Sequence, residues 1–111
     1  MTALYYSEAF KRQIKRLSRR YRRIKNDVQP VLEQLESGAT PGDQIQGVGY
    51  PLYKVRVKNS DAKRGKSGGY RIIYYLVSGD EITLITIYSK SDQSDIGAAE
   101  ILDIIQQEGQ E

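Results

Sequence analysis

The hydrophobic positions of this chain change from helical spacing to strand spacing, and back to helical spacing near its end. After a short β-prone segment at residues 2–6, apolar side chains recur every three or four residues, which predicts a helix capped by Ser7. A second helical stripe follows a break at residues 25–27, and Gly38 ends it. Pro30 fits this helix only in its first turn, where its missing N–H costs nothing. The two helices are predicted to form an antiparallel pair.

Beyond residues 38–51, which are rich in glycine and proline and are predicted to be loop, the spacing is that of strands. Residues 53–58 carry apolar side chains on one face and cations on the other. Residues 70–77 are apolar on both faces, which is typical of a central strand. A hairpin turn then leads to a third strand at residues 81–89, and a last helical stripe covers residues 96–105.

The element order β-α-α-β-β-β-α predicts an α+β fold. We expect an antiparallel sheet with the N-terminal helical pair on one face, and a C-terminal helix. The length of 111 residues, without repeats or linkers, predicts a single domain over residues 1–111. The sequence has neither the ~20 apolar residues of a membrane span nor the pattern of a signal peptide. We therefore expect a cytoplasmic protein with no membrane partner.

The composition restricts the chemistry that the chain can perform. It contains no Cys and no His. These absences exclude a disulfide framework, a zinc site of the usual kind and a Ser-His-Asp triad. We expect no metal and no cofactor, so any catalysis must use Lys, Arg, Tyr, Asp, Glu, Ser or Thr.

Charge is strongly segregated along the chain, although the formal net charge is only +3. Residues 1–25 hold nine Lys or Arg against one acid, and residues 54–71 hold seven against one. Clusters of this kind are typical of a protein that binds a polyanion. For the first block, a solvated helix face is the alternative interpretation.

The strand pattern predicts that several cations share one sheet face. If the apolar side of residues 53–57 faces the helical pair, three cations face away from it: Lys54, Arg56 and Lys58. The next two strands can add further residues to that open face: Arg71, Thr86, Tyr88 and Lys90. An ordinary solvent-facing side is the alternative, but such faces usually mix both charge signs.

A face of this composition suits RNA. Phosphates bind Lys and Arg, and Tyr70, Tyr75 or Tyr88 can stack on unpaired bases. The same face can also cleave RNA without a metal, by attack of a 2′-OH on the adjacent phosphorus, which leaves a 2′,3′-cyclic phosphate and a 5′-OH. A fixed guanidinium can stabilise the charge that grows on the phosphoryl oxygens, and a lysine crowded by other cations can act as the base.

Four segments carry a resemblance to a known family: residues 47–57 (GVGYPLYKVRV), 65–75 (GKSGGYRIIYY), 84–90 (LITIYSK) and 94–96 (SDI). In these segments the chain resembles the RelE/ParE superfamily of type II toxin–antitoxin toxins. It looks most like the HigB-type, RelE-like branch of ribosome-dependent mRNA endonucleases. The resemblance therefore implies a toxin that cleaves mRNA in the ribosomal A site, with a cognate antitoxin, the ribosome and mRNA as partners.

The resemblance also implies roles for single residues. Lys54 and Arg56 match the basic pair on the family's first core strand, with Lys54 as the proton acceptor. Arg71 matches the arginine that stabilises the phosphate, and Lys90 matches a basic residue at the end of the last strand. We expect RNA contacts around this face and along the first helix, from Lys58, Arg64, Lys66, Tyr88, Arg16, Arg20 and Arg23.

The sequence departs from RelE itself at two places. Ser91 stands where RelE has an arginine, and Ile96 and Gly97 stand where it has a catalytic tyrosine. The HigB-like branch shares this altered pattern. The general acid is therefore open among three residues: Lys66, Lys90 and Tyr88.

Two other functions fit the same sequence less well. A ParE-like gyrase inhibitor without nuclease activity would share the fold, but ParE-type toxins lack the basic set that Lys54, Arg56 and Arg71 form here. A non-catalytic RNA-binding domain would keep the cationic face without the toxicity.

Overall fold

A five-stranded sheet carries three helices in the computed structural model, which describes residues 1–62 and 69–108. Arg64 and Lys66 lie outside the described residues. The elements, in chain order, are β1 (Ala3–Tyr6), α1 (Glu8–Ser18), α2 (Ile24–Glu36), β2 (Asp43–Gln44), β3 (Leu52–Val57), β4 (Tyr70–Ser78), β5 (Glu81–Ser89) and α3 (Ala98–Glu108). Within the described ranges, every helix is too short or too polar to cross a membrane. The α+β class is confirmed.

The sheet has the order β1-β5-β4-β3-β2, so β4 is central, as its apolar pattern predicts. Strands β2 to β5 pair in antiparallel fashion, whereas β1 pairs in parallel with β5. The sheet is therefore mixed, and the prediction of a purely antiparallel sheet is wrong at this edge. The two-residue turn between β4 and β5 forces these two strands to run in opposite directions. Strand β1 has no such constraint, because most of the chain separates it from β5.

The junction between β1 and α1 is fixed by one buried hydroxyl. Ser7 is the N-cap of α1 and accepts a hydrogen bond from the Phe10 N–H at 2.9 Å. Its hydroxyl also donates to the carbonyl oxygen of Ile85 in β5. The predicted cap therefore ties the first helix to the sheet as well as starting it.

Both faces of the sheet are packed. Helices α1 and α2 cover one face, where Val55 and Val57 of β3 join the larger core cluster with Ile72 of β4. Helix α3 packs on the opposite face through Ile101 and Ile104. The helical pair on one face and the inward direction of residues 53–57 are thus confirmed.

The boundary between the two N-terminal helices differs from the prediction. Helix α1 ends at Ser18 and α2 begins at Ile24, so the predicted break at residues 25–27 lies inside α2. The turn keeps Tyr21 packed against the core and Ile24 buried, so the apolar stripe continues through it without a visible interruption. The two-residue strand β2 is a second difference, because it lies within the predicted loop.

Pro30 lies in the interior of α2 rather than in its first turn. It lacks the N–H that would bond the carbonyl four residues earlier, and it is exposed. We expect Pro30→Ala to raise the free energy of unfolding by about 2 kcal/mol, since the regained bond outweighs the greater entropy of the unfolded chain. Urea unfolding followed by circular dichroism measures this. Gln29→Ala, an exposed neighbour, is the control, and equal stabilisation by both variants would contradict the account.

Candidate active site

Three strands bring the predicted cations together on the face that α3 partly covers. Arg56 of β3 lies opposite Arg71 of β4, and Arg71 lies opposite Tyr88 of β5. These three residues form one row across the sheet. Lys54 lies two residues along β3 on the same face, opposite Ile73. The common face expected from alternation is therefore present.

The Arg56–Arg71 pair is costly for folding. Like charges directly opposite each other on neighbouring strands destabilise a sheet. Arg56 is exposed and Arg71 is half-buried, so solvent screens the pair only in part. A sequence that maximised stability would place an acid at one of the two positions, so the pair indicates a requirement for positive charge.

Asp95 brings an acidic side chain into this cationic face. Its Oδ1 accepts a hydrogen bond from Lys54 Nζ at 3.0 Å, from Tyr88 Oη at 3.3 Å and from the Ile96 N–H at 2.8 Å. The hydrogen bond from Lys54 is the main cause that lowers the pKa of Asp95, followed by that from Ile96. The carboxylate therefore stays ionised well below neutral pH.

Sequence reasoning missed the role of Asp95. The residue precedes Ile96, where the last apolar stripe begins, and nothing in this local pattern indicates a contact with β3. Asp95 is 41 residues away from Lys54 in sequence, and only folding brings the two side chains into contact. The one available signal was its place in the segment 94–96, which carries the family resemblance.

Tyr88 is only 2% exposed, so it contributes to the site through its hydroxyl group rather than through the face of its ring. Burial, with Asp95 beside it, raises the pKa of Tyr88 to about 12, so the hydroxyl keeps its proton at neutral pH. A ring this buried does not offer a face for base stacking. Tyr70 is fully buried against Tyr21, so its predicted stacking on a base is wrong. Tyr75 is half-buried and packs edge-on against Tyr50.

The structure describes two of the three general-acid candidates, Tyr88 and Lys90. Lys66 lies outside the described residues. Lys90 follows β5 and donates from Nζ to the Ser94 carbonyl oxygen at 2.9 Å. Its backbone N–H donates to the Gly69 carbonyl oxygen at 3.0 Å, which joins the end of β5 to the start of β4.

Arg71 is held close to the backbone where β4 begins. Its Nη1 donates to the Tyr70 carbonyl oxygen at 3.2 Å. Gly69, two residues earlier, has a φ of +82°, and a Cβ at this position would lie 2.5 Å from the Val57 carbonyl oxygen. Glycine at position 69 is therefore required for β3 and β4 to meet at the cationic row.

The cations predicted along the first helix lie in two places: Arg16 is in α1, whereas Arg20 and Arg23 are in the turn between α1 and α2. Arg20 forms a 2.8 Å ion pair with Asp92, in the same inter-element segment as Asp95. Arg16 bonds Gln13 within α1, and the Arg23 N–H donates to Asp61. The hydrogen bonds described for Arg16 and Arg23 do not reach the cationic row. Their contacts with RNA stay predictions.

The described part of the chain contains no group of three acidic side chains that could hold a metal ion. A comparison with protein families identifies a relationship over almost the whole chain. The model of a family described as the RelE toxin of the RelE/RelB toxin–antitoxin system matches residues 8–108. The match begins with the first residue of α1 and ends with the last residue of α3. It therefore includes every element that forms the candidate site.

Proposed function

We propose that the chain is a ribosome-dependent, metal-independent mRNA endoribonuclease. The proposal proceeds from its family: the chain belongs to the RelE toxin family, and is therefore the toxin of a toxin–antitoxin system with an antitoxin as its partner. Cleavage of mRNA on the ribosome stops translation and takes place in the cytoplasm. We place the chain in the HigB-like branch, since Ser91 and Ile96 replace the arginine and tyrosine of RelE.

The pairing of Arg56 with Arg71 is the observation that carries this proposal. Two cationic residues opposite each other on neighbouring strands repel each other in the free protein, and a phosphodiester bound by both would relieve that repulsion. A pentacoordinate phosphorus carries more negative charge than the substrate, so the same two groups would stabilise the transition state more strongly than the bound RNA.

The reaction needs one proton acceptor and one proton donor. Lys54, as the amine, takes the proton of the 2′-OH while the 2′ oxygen attacks the neighbouring phosphorus. The bond between phosphorus and the 5′ oxygen breaks, and that oxygen takes a proton from Tyr88, Lys90 or Lys66. The products are a 2′,3′-cyclic phosphate and a 5′-OH. Lys54 has gained one proton, and the donor has lost one. Tyr88 holds a proton that it can donate at neutral pH, but its pKa of about 12 makes it a weaker acid than an ordinary tyrosine.

Expression of the protein without its antitoxin tests this function. We expect growth arrest together with new transcript 5′ ends inside translated regions, mapped by primer extension. The same transcript without its start codon is the matched control and should stay intact, because it does not enter the ribosome. DNA damage with intact transcripts would contradict the proposal and support a gyrase inhibitor. Harmless expression would support a non-catalytic RNA-binding domain.

A further inference from the structure

Three of the predicted site cations donate to one short segment between β5 and α3. Arg20 pairs with Asp92 at 2.8 Å, and Lys54 pairs with Asp95 at 3.0 Å. Between the two acids, the Ser94 carbonyl oxygen accepts from Lys90 at 2.9 Å. We refer to residues 92–95 as the acceptor segment. The carboxylate and carbonyl oxygens in this segment hold the same cations that an RNA backbone would bind.

These contacts can be exchanged for others at little cost. The Lys54 side chain is 36% exposed and that of Asp95 is 64% exposed, while those of Arg20 and Asp92 are 54% and 27% exposed. Ion pairs this open to water contribute little to stability. A phosphate oxygen offers the same cation an equivalent acceptor, and its binding also releases counterions from the RNA. The ion pairs of the acceptor segment are therefore replaceable by RNA.

We propose that Asp92 and Asp95 determine the affinity for RNA, because their carboxylates occupy, in the free protein, the places that RNA phosphates take at Arg20 and Lys54. RNA binding then displaces the acceptor segment from these cations. The proposal rests on the proposed function in one respect, since it takes single-stranded RNA as the ligand. The new element is that the carboxylates of Asp92 and Asp95 compete with RNA phosphates for the same cations and so lower the affinity of the protein for RNA.

Asparagine is the substitution that isolates this effect. An amide oxygen at position 95 can still accept from Tyr88 Oη and from the Ile96 N–H, which both bond Asp95 Oδ1. Only the negative charge facing Lys54 is lost. Asp103→Asn is the matched control, because Asp103 is exposed on α3 and accepts from Gln107, a neutral side chain.

The test measures binding of a short single-stranded RNA with 2′-O-methyl riboses, which the proposed reaction cannot cut, to the full chain over a series of salt concentrations. At low salt we expect Asp95→Asn and Asp92→Asn each to bind about three- to fivefold more tightly. The slope of log K against log salt should stay about the same, because RNA phosphates contact Arg20 and Lys54 in the unaltered chain as well. Asp103→Asn should change the affinity by less than about twofold, if its charge acts only at a distance.

A double-variant cycle shows whether Asp95 acts through Lys54. In a Lys54→Met background, Asp95→Asn should change the affinity no more than Asp103→Asn does. Equal tightening by Asp95→Asn and Asp103→Asn, an undiminished effect in the Lys54→Met background, or no RNA binding by any variant would each overturn the proposal. If the Asp95→Asn variant binds RNA like the unaltered chain while transcripts are still cut, competition by Asp95 is rejected and the proposed nuclease function is retained. Tighter binding without any cut transcript gives the reverse conclusion.

Discussion

Arg71→Ala is expected to lower the rate of mRNA cleavage by about 100- to 1,000-fold while leaving the protein folded. Arg71 is the middle residue of the row that Arg56 and Tyr88 complete, so its guanidinium would touch the phosphate from the centre of the site. Its removal also ends the like-charge pair with Arg56. The free energy of unfolding should therefore stay equal or rise slightly, which a merely structural arginine would not show.

Two further variants sharpen this prediction. Arg71→Lys keeps the charge but loses the planar pair of donors, so we expect a cleavage rate between those of the unaltered chain and Arg71→Ala. Lys58→Ala removes an exposed cation just beyond the row and should weaken RNA binding without a comparable loss of the maximal rate. Single-turnover cleavage of ribosome-bound mRNA and urea unfolding supply the measurements. Full activity in a folded Arg71→Ala protein would show that Arg71 does not serve the reaction.

Gly69→Ala is expected to lower the free energy of unfolding by about 3 kcal/mol and to abolish most cleavage. The positive φ of Gly69 strains any residue with a Cβ, and this Cβ would lie 2.5 Å from the Val57 carbonyl oxygen. Relief of that clash requires β3 and β4 to separate where Arg56 faces Arg71. The bond from the Lys90 N–H to the Gly69 carbonyl oxygen lies at the same point. Stability and activity should therefore fall together.

Gly38→Ala is the matched control for this substitution. Gly38 has a φ of +97°, but a Cβ there meets nothing within 4 Å. Only the cost of the backbone conformation remains, so we expect a loss of about 1 kcal/mol and unchanged cleavage. Thermal unfolding and cleavage assays on both variants separate the two contributions. An equal loss of stability in the two variants would show that the approach of Gly69 to Val57 is not the cause.

The fold followed from the sequence wherever local pattern and short connections decide the structure. Alternation in β3 settles which side chains face the helical pair, and the turn between β4 and β5 settles their direction. The direction of β1 did not follow, because nothing local relates it to β5. The end of α1 did not follow either, since Tyr21 keeps the apolar spacing through the turn.

The candidate site divides in the same way. Lys54, Arg56 and Arg71 were predictable as a group because they lie on neighbouring strands with a regular period. Asp95 and the pairing of Arg20 with Asp92 were not, since both depend on a segment outside the regular elements that returns across the sheet. Its position is set by side-chain contacts rather than by period. The burial of Tyr88 was also hidden, because the coverage of one sheet face by α3 is a long-range contact.

The most direct test is the chemistry of the ends produced when the purified protein cleaves mRNA bound to ribosomes. We expect a 2′,3′-cyclic phosphate on one fragment and a 5′-OH on the other. We expect no cleavage when the nucleotide that carries the attacking 2′-OH is replaced by its 2′-deoxy form. Cleavage of the 2′-deoxy substrate, or fragments with a 5′-phosphate, would contradict attack by the 2′-OH on this cationic face.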